Sequence, residues 1–204
     1  MDYIPTIQDV LELTKLHPYR LKNAYVFGSR VYGTNTSDSD WDILVIANTP
    51  SPETQIKGEL LNIHVLSAER FKDGLKQHNI RNIECLLAPD WAILKEDIKF
   101  KLEIKEASLR HSISHTNSNS WVKAKKKLLQ GDYDIGIKSL YHSIRIPMFG
   151  MQISNTGTIN DWSCANHLWL KLNKRKWTWE ELESEFKTLN NNTMSEFRKV
   201  TNKK

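Results

Sequence analysis

The pattern of hydrophobic and polar positions divides the chain into a strand-containing N-terminal half and a helical C-terminal half. Apolar residues recur at helical spacing over 7–14, directly after Thr6, whose hydroxyl can cap a helix. Two dense apolar runs, 23–27 and 41–47, predict β-strands. The second run is apolar on both faces beyond Asp42, which is typical of a central strand covered on both sides.

The rest of the N-terminal half continues with short strand and helix patterns. Residues 59–66 alternate in the manner of a strand and follow a proline-containing loop at 49–53. Ser67 can cap the helix that comes next. A second helix is predicted over 81–87, and Pro89 ends it.

From residue 98 onwards the sequence has no convincing strand pattern. Helices are predicted over 101–129, 134–151, 161–173 and 178–190. The polar stretch at 114–120 predicts a break or kink in the first of them, and Thr178 and Glu181 form a capping box for the last. The basic tail at 199–204 is expected to fray.

These patterns predict an α+β protein, with a small α/β domain over 1–97 and a helical domain over 98–204. The 204 residues include 29 Lys and Arg against 24 Asp and Glu, giving a net charge of +5, and 39% are hydrophobic. That balance argues against disorder. The modest basic excess suits a polyanionic partner such as a nucleotide or nucleic acid without requiring one.

The cysteine count and the absence of long apolar runs indicate the expected cellular compartment. Cys85 and Cys164 are too few for a disulfide framework or a cysteine-rich zinc site, so a reducing compartment is the expectation. The chain begins without a basic and apolar leader and has no apolar run of membrane-spanning length. We therefore expect a cytoplasmic protein that does not associate with a membrane.

Candidate chemistry is concentrated at 28–46, where a strand ends on Gly-Ser and an acid-Trp-acid triplet opens the next strand. A Walker A loop is excluded because Thr34 stands where that motif needs lysine. An EF-hand loop is excluded because Ile43 and Thr49 stand where it needs glycine and glutamate. Neither of these common phosphate or calcium motifs accounts for the segment.

A two-carboxylate cation site does account for it. Alternate side chains of a strand project to the same face, so Asp40 and Asp42 are expected to project together. Carboxylate and phosphate oxygens are the ligands that Mg²⁺ prefers, so such a pair suits an ion that also holds a nucleoside triphosphate. Gly28 and Ser29 form a tight turn through which backbone N–H groups can approach a phosphate.

The same segment resembles the signature of the DNA polymerase β superfamily of nucleotidyltransferases. More narrowly, 28–34 and 39–42 resemble the predicted nucleotidyltransferases associated with RNA repair in bacteria and phages. The resemblance implies a polymerase β-like N-terminal domain with a mixed sheet, and a helical domain that closes the nucleotide cleft. It also implies magnesium-dependent transfer of a nucleoside monophosphate from an NTP, with ATP favoured, to an acceptor hydroxyl, with RNA as a candidate.

The resemblance also assigns roles to individual residues. Asp40 and Asp42 fall on the catalytic metal ligands of the family, and Gly28 and Ser29 fall on its triphosphate-holding turn. Arg30 follows this turn, where it either binds phosphate or lies on the surface.

Two basic groups in the helical half have two interpretations each. Lys138, His142 and Arg145 share one helix face, which is either solvated or closes over the triphosphate as the family's later motif does. The lysine-rich run at 123–127 is most simply a solvated face, although it also suits a nucleic-acid backbone.

The sequence departs from the family at one important position. Members usually carry a third carboxylate on the following strand as general base, and Asn62 stands there, which cannot accept a proton. Glu59, re-aimed by a bulge, and Glu84 are candidate replacements. The alternative hypothesis is a catalytically impaired nucleotide- or RNA-binding module on the same fold, with a toxin–antitoxin or signalling partner as a third possibility.

Overall fold

A computed structural model describes residues 3–49 and 53–202. The chain forms two compact units that divide between Glu103 and Ile104, and we name them the sheet unit and the helical unit. The elements of the sheet unit are α1 (Ile7–Thr14), β1 (Leu21–Phe27), α2 (Ser29–Tyr32), β2 (Trp41–Ala47), β3 (Glu53–Lys57), β4 (Leu61–Ser67), α3 (Ala68–Lys76), α4 (Ile80–Leu86), a 3-10 turn (Asp90–Ala92) and β5 (Ile93–Glu96).

The sheet has the strand order β3-β4-β2-β1-β5. β2 and β4 run parallel while the other pairs are antiparallel, so the predicted mixed sheet is confirmed. β2 is the central strand, as its pattern predicted, and its residues from Ile43 to Ala47 are completely buried. The predicted caps at Thr6 and Ser67 are also confirmed, because each side chain accepts a hydrogen bond from a backbone N–H in the first turn.

The two edge strands were missed by the sequence pattern. β3 begins at Glu53, where the sequence predicted a loop, and it has only one residue that is even half-buried. The remaining loop residues 50–52 lie outside the described part of the chain. β5 has four residues, all half-buried. Edge strands of this kind pack on one side only and leave little periodic signal.

The division between the units lies six residues beyond the boundary expected at 97/98. The backbone N–H and C=O of Ile98 both bond to the side chain of Asn23 in β1, at 3.0 and 2.8 Å. The ring of Phe100 packs against Phe71 with centroids 4.9 Å apart. The segment after β5 therefore belongs to the sheet unit.

The helical unit consists of α5 (Glu106–Leu129), α6 (Tyr133–Thr156), α7 (Asn166–Leu172) and α8 (Trp179–Thr201). The predicted capping box of Thr178 and Glu181 is confirmed. The predicted break in α5 is wrong, since the helix runs through 114–120 without interruption. α8 also continues eleven residues beyond its predicted end, so the tail is helical to Thr201, and residues 203–204 lie outside the described part.

A buried amide network explains why these polar stretches remain helical. Asn117 of α5 donates from Nδ2 to the carbonyl of Ser143 in α6 at 2.6 Å and to Oδ1 of Asn190 in α8 at 2.8 Å. Both asparagines are at least nine-tenths buried. The polar residues therefore join three helices. In the described ranges, no helix is both long enough and apolar enough to cross a membrane.

Candidate active site

A glycine turn at the end of β1 lies directly beside an acidic side chain of β2. Gly28 has φ of +83°, a conformation that residues with a side chain rarely adopt, and its carbonyl accepts hydrogen bonds from Val31 and Tyr32 at 3.0 and 3.2 Å. A Cβ added at this glycine would lie 2.6 Å from Oδ2 of Asp42. Glycine is therefore required for the carboxylate and the turn to meet.

The two aspartates flank a tryptophan that fixes the start of β2. Trp41 is 8% exposed, and its backbone N–H donates to the carbonyl of Leu60 at 2.8 Å. Asp40 is exposed and Asp42 is half-buried. Because neighbouring side chains of a strand point to opposite faces, burial of Trp41 in one face directs the Asp42 carboxylate towards the other, whereas Asp40 lies just before β2 begins. The structure thus brings Asp42 next to Gly28, and Asp40 lies two residues before it.

Arg30 connects the glycine turn to the loop before β2. Its Nη2 donates to the carbonyl of Ser39 at 2.6 Å, and its guanidinium lies 4.4 Å from the centre of the Trp41 ring. These contacts hold the loop that carries Asp40. A role in phosphate binding stays a prediction.

Asn62 lies opposite Asp42 in the parallel β2–β4 ladder. Its Nδ2 donates to Oδ1 of Asp42 at 2.7 Å. Its Oδ1 accepts a hydrogen bond from Nε2 of Gln55 in β3, also at 2.7 Å. Gln55 was missed by sequence reasoning because β3 itself was missed. The amide orients the carboxylate, and it offers no site for a proton.

The two candidate replacements for the third carboxylate differ in burial. Glu84 is buried, 4% exposed, and accepts a hydrogen bond from the hydroxyl of Tyr32 at 2.5 Å. Glu59 is exposed in the bend before β4. Across 3–49 and 53–202, no three acidic, histidine or cysteine side chains converge as a metal site. A cation beside Asp42 would therefore complete its coordination with water and phosphate oxygens, as Mg²⁺ commonly does.

A histidine that the sequence analysis did not single out lies on the same strand. His64 is two residues beyond Asn62, and its Nδ1 is 3.7 Å from Oε1 of Glu53, which also pairs with Arg81 at 3.1 Å. Burial, and then the charge of Arg81, lower the pKa of His64, although Glu53 and Asp42 oppose the shift. The imidazole is therefore neutral at pH 7.

The three predicted basic residues of α6 have different environments. Lys138 is exposed, His142 is half-buried and Arg145 is only 2% exposed. The Arg145 guanidinium donates to Nδ1 of His142, with Nε at 3.3 Å and Nη2 at 3.1 Å, and lies 4.5 Å from the centre of the Phe149 ring. A wholly solvated face is therefore wrong for this group.

The same contacts decide the charge of the histidine. Burial, followed by the charges of Arg145, Lys123 and Lys138, holds the pKa of His142 well below its usual value. His142 is therefore a neutral acceptor rather than one of the cations. Contact of this face with a triphosphate stays a prediction.

Comparison with known proteins places the sequence in a family. No curated protein matches the sequence. Among solved structures, the chain is similar to a nucleotidyltransferase-like protein from Exiguobacterium sibiricum, with 12% identity and a TM-score of 0.36 over 97% of this chain and 74% of that one. The family model described as the nucleotidyltransferase domain matches residues 8–127, more than half of the chain. The protein belongs to the nucleotidyltransferase domain family.

Proposed function

We propose that the protein binds an NTP together with Mg²⁺ at the margin of its sheet and transfers the nucleoside monophosphate to an acceptor hydroxyl. ATP is the favoured nucleotide, and RNA is a candidate acceptor. Asp40 and Asp42 would hold the cation, while the turn at Gly28 and Ser29 would hold the β- and γ-phosphates.

The contact between Gly28 and Asp42 carries this proposal. A glycine with φ of +83° is placed so that any side chain would collide with the Asp42 carboxylate. The backbone of the turn and the carboxylate are thus close enough to act on one ligand, which suits a metal-bound triphosphate. Packing alone would not require this close approach.

The reaction would be an in-line displacement at the α-phosphorus. The acceptor oxygen forms a bond to phosphorus as the bond to the bridging oxygen breaks, and pyrophosphate leaves. Magnesium would supply charge neutralisation to the phosphates. Asn62 holds Asp42 in place through its 2.7 Å hydrogen bond, and solvent takes the acceptor proton. Phosphoryl transfer depends chiefly on positioning and charge stabilisation, so turnover without a carboxylate base is chemically sound.

A pair of assays tests the proposal on the full-length protein. Equilibrium binding of each of the four NTPs is measured with Mg²⁺ and with EDTA, and transfer from α-³²P-labelled NTPs is measured with RNA, protein and small-molecule acceptors. We expect binding to need the cation and label to enter an acceptor as pyrophosphate is released. An NTP affinity that is unchanged by EDTA would contradict the cation site.

The second candidate is a binding module that has lost turnover. Asn62 favours it, because the amide occupies the place of the third carboxylate and Glu84 is engaged by Tyr32 instead. This candidate shares the magnesium-dependent nucleotide binding and differs only in chemistry. Binding without transfer to any acceptor would favour it over the enzyme.

A further inference from the structure

Positive charge is unevenly divided between the two units. Residues 104–204 contain 17 Lys and Arg and nine Asp and Glu, whereas residues 1–103 contain 12 and 15. The helical unit therefore has a formal net charge of +8 and the sheet unit one of −3. A local excess of this size favours a polyanionic partner more strongly than the net charge of the whole chain does.

Two stretches of the helical unit, 123–127 and 171–176, contain four Lys or Arg each and no acidic residue. Three of these cations form ion pairs, Lys127 with Asp132, Lys171 with Glu185 and Arg175 with Glu181. The others form no ion pair within the described ranges, and we name them the basic end: Lys123, Lys125, Lys126, Lys174 and Lys176.

Aromatic contacts bring the two stretches to the same end of the helical unit. The hydroxyl of Tyr133, four residues after α5, accepts a hydrogen bond from the backbone N–H of Trp177 at 3.0 Å. The Lys176 ammonium lies 3.9 Å from the centre of the Tyr133 ring. Lys125 of α5 lies 5.8 Å from the centre of the Trp179 ring at the start of α8. Lys125 of α5 and Lys176 of the α7–α8 connection thus lie over rings that belong to one packed cluster.

The arrangement fits a chain of phosphates better than a lipid surface. All five lysines are exposed, and they come from two separate segments, so their charges are spread along a surface. A helix that lies on a membrane needs a strong outward apolar stripe, and α5 does not separate its apolar and polar residues in that way. Spread, exposed cations that form no ion pair are the usual contacts of a nucleic-acid backbone.

We propose that the basic end binds the phosphate backbone of a nucleic-acid strand, without reading its bases. Binding of the strand does not depend on the proposed function. Its use as the acceptor in the transfer reaction rests on that proposed function. With five phosphate contacts, the logarithm of the binding constant should fall with the logarithm of salt concentration at a slope of about −3.5. Binding should weaken about 10²-fold between 50 and 200 mM salt.

The test is fluorescence anisotropy with labelled 20-nucleotide RNA and DNA strands, with neither NTP nor Mg²⁺ present. The variant Lys126→Gln/Lys174→Gln removes two exposed charges that make no ion pair in the described ranges. The matched control is Lys187→Gln/Lys199→Gln, which removes the same net charge from lysines already paired with Glu183 and Glu196. We expect the first variant to bind about tenfold more weakly at 0.1 M salt, with a slope smaller by about 1.4, and the control to bind as wild type does.

Several outcomes would overturn the inference. Equal losses in the two variants would show that net charge, and not the basic end, controls binding. Binding to phosphatidylserine vesicles but to neither strand would indicate a membrane surface instead. The proposed function is tested separately. If strands bind through the basic end but no label is transferred, the basic-end inference holds and the transferase proposal fails. If label is transferred to a small molecule and no strand binds, the basic-end inference is overturned. Comparison of the RNA and DNA strands identifies the preferred sugar.

Discussion

The sheet unit and the helical unit use polar side chains for different purposes. In the helical unit, Asn117 and Asn190 are buried and satisfied by one another and by the backbone, so they tie helices together. In the sheet unit, Gln55 and Asn62 form a chain of hydrogen bonds that ends on the half-buried carboxylate of Asp42. A polar network that closes on itself stabilises a fold, whereas one that ends at solvent can act on a ligand.

The two units also differ in formal net charge. The sheet unit has a formal net charge of −3 and contains Asp40 and Asp42, which under the proposed function bind a cation before a triphosphate. The helical unit has a formal net charge of +8, which its own Lys and Arg side chains supply. The two proposals place nucleotide chemistry in the sheet unit and polyanion binding in the helical unit, and substitutions in each unit test this division.

The largest effect is expected from Asp42→Asn. Loss of one of two carboxylate ligands should reduce the transfer rate about 10³-fold and abolish the magnesium dependence of NTP binding. The matched control is Asp38→Asn, which changes an exposed carboxylate in the loop before β2 that accepts a hydrogen bond from the hydroxyl of Ser37 at 2.9 Å. Transfer rates and NTP affinities are measured for both. If Asp38→Asn loses as much activity as Asp42→Asn, the site has been misplaced.

A glycine pair compares the two units directly. Gly28→Ala should slow transfer about 10²-fold, because the new Cβ would displace the Asp42 carboxylate. Gly131, in the helical unit, has the same φ of +83° and no neighbour within 4 Å of an added Cβ. Gly131→Ala therefore reproduces the backbone strain without the collision.

Both glycine variants should lose about 1–3 kcal/mol of unfolding free energy, measured by urea denaturation. Only Gly28→Ala should lose activity beyond what its unfolded fraction explains. Equal activities of the two variants would mean that the turn does not need to approach the carboxylate.

Asn62→Asp is expected to produce a smaller change in the opposite direction. It places a carboxylate opposite Asp42 in the β2–β4 ladder, and under the proposed function it should raise the transfer rate about tenfold by supplying a general base. Asn62→Ala, which removes the 2.7 Å hydrogen bond to Asp42, should lower the rate instead. A rate that is unchanged in Asn62→Asp would indicate that proton removal does not limit the reaction.

The sequence predicted the parts of the molecule that follow from local chemistry. The central strands, the glycine turn and the caps at Thr6, Ser67 and Thr178 could all be identified from spacing and residue type. These features depend on neighbours along the chain. The resemblance to nucleotidyltransferases, confirmed by the family match, depended on the same short segment.

The parts that sequence reasoning missed depend on distant partners. β3 carries mainly exposed polar residues, so nothing in its pattern revealed that Gln55 would reach Asn62. The continuity of α5 depends on Asn117 finding partners in two other helices. Burial of Arg145 against Phe149 likewise could not be read from a helix face that looked charged. Tertiary contacts override local preference at each of these positions.

The smallest expected effect is a pH dependence that again separates the units. His142 has a pKa held well below its usual value, first by burial and then by the charges of Arg145, Lys123 and Lys138. The unfolded chain therefore takes up this proton near pH 6.5, whereas the folded chain does so only at much lower pH. Stability from this group is complete above about pH 6.5 and is lost as the pH falls.

His142→Gln, whose amide oxygen can still accept from Arg145, should reduce the slope of unfolding free energy against pH below 6.5 by up to about 1.4 kcal/mol per pH unit. His64→Gln is the counterpart in the sheet unit, and its effect should be smaller because Glu53 and Asp42 oppose the lowering of the His64 pKa. Urea denaturation from pH 4.5 to 7.5 measures both slopes. If His64→Gln changes the slope more than His142→Gln does, the histidine with the more strongly lowered pKa lies in the sheet unit. The helical unit would then not be the one that buries its polar side chains more completely.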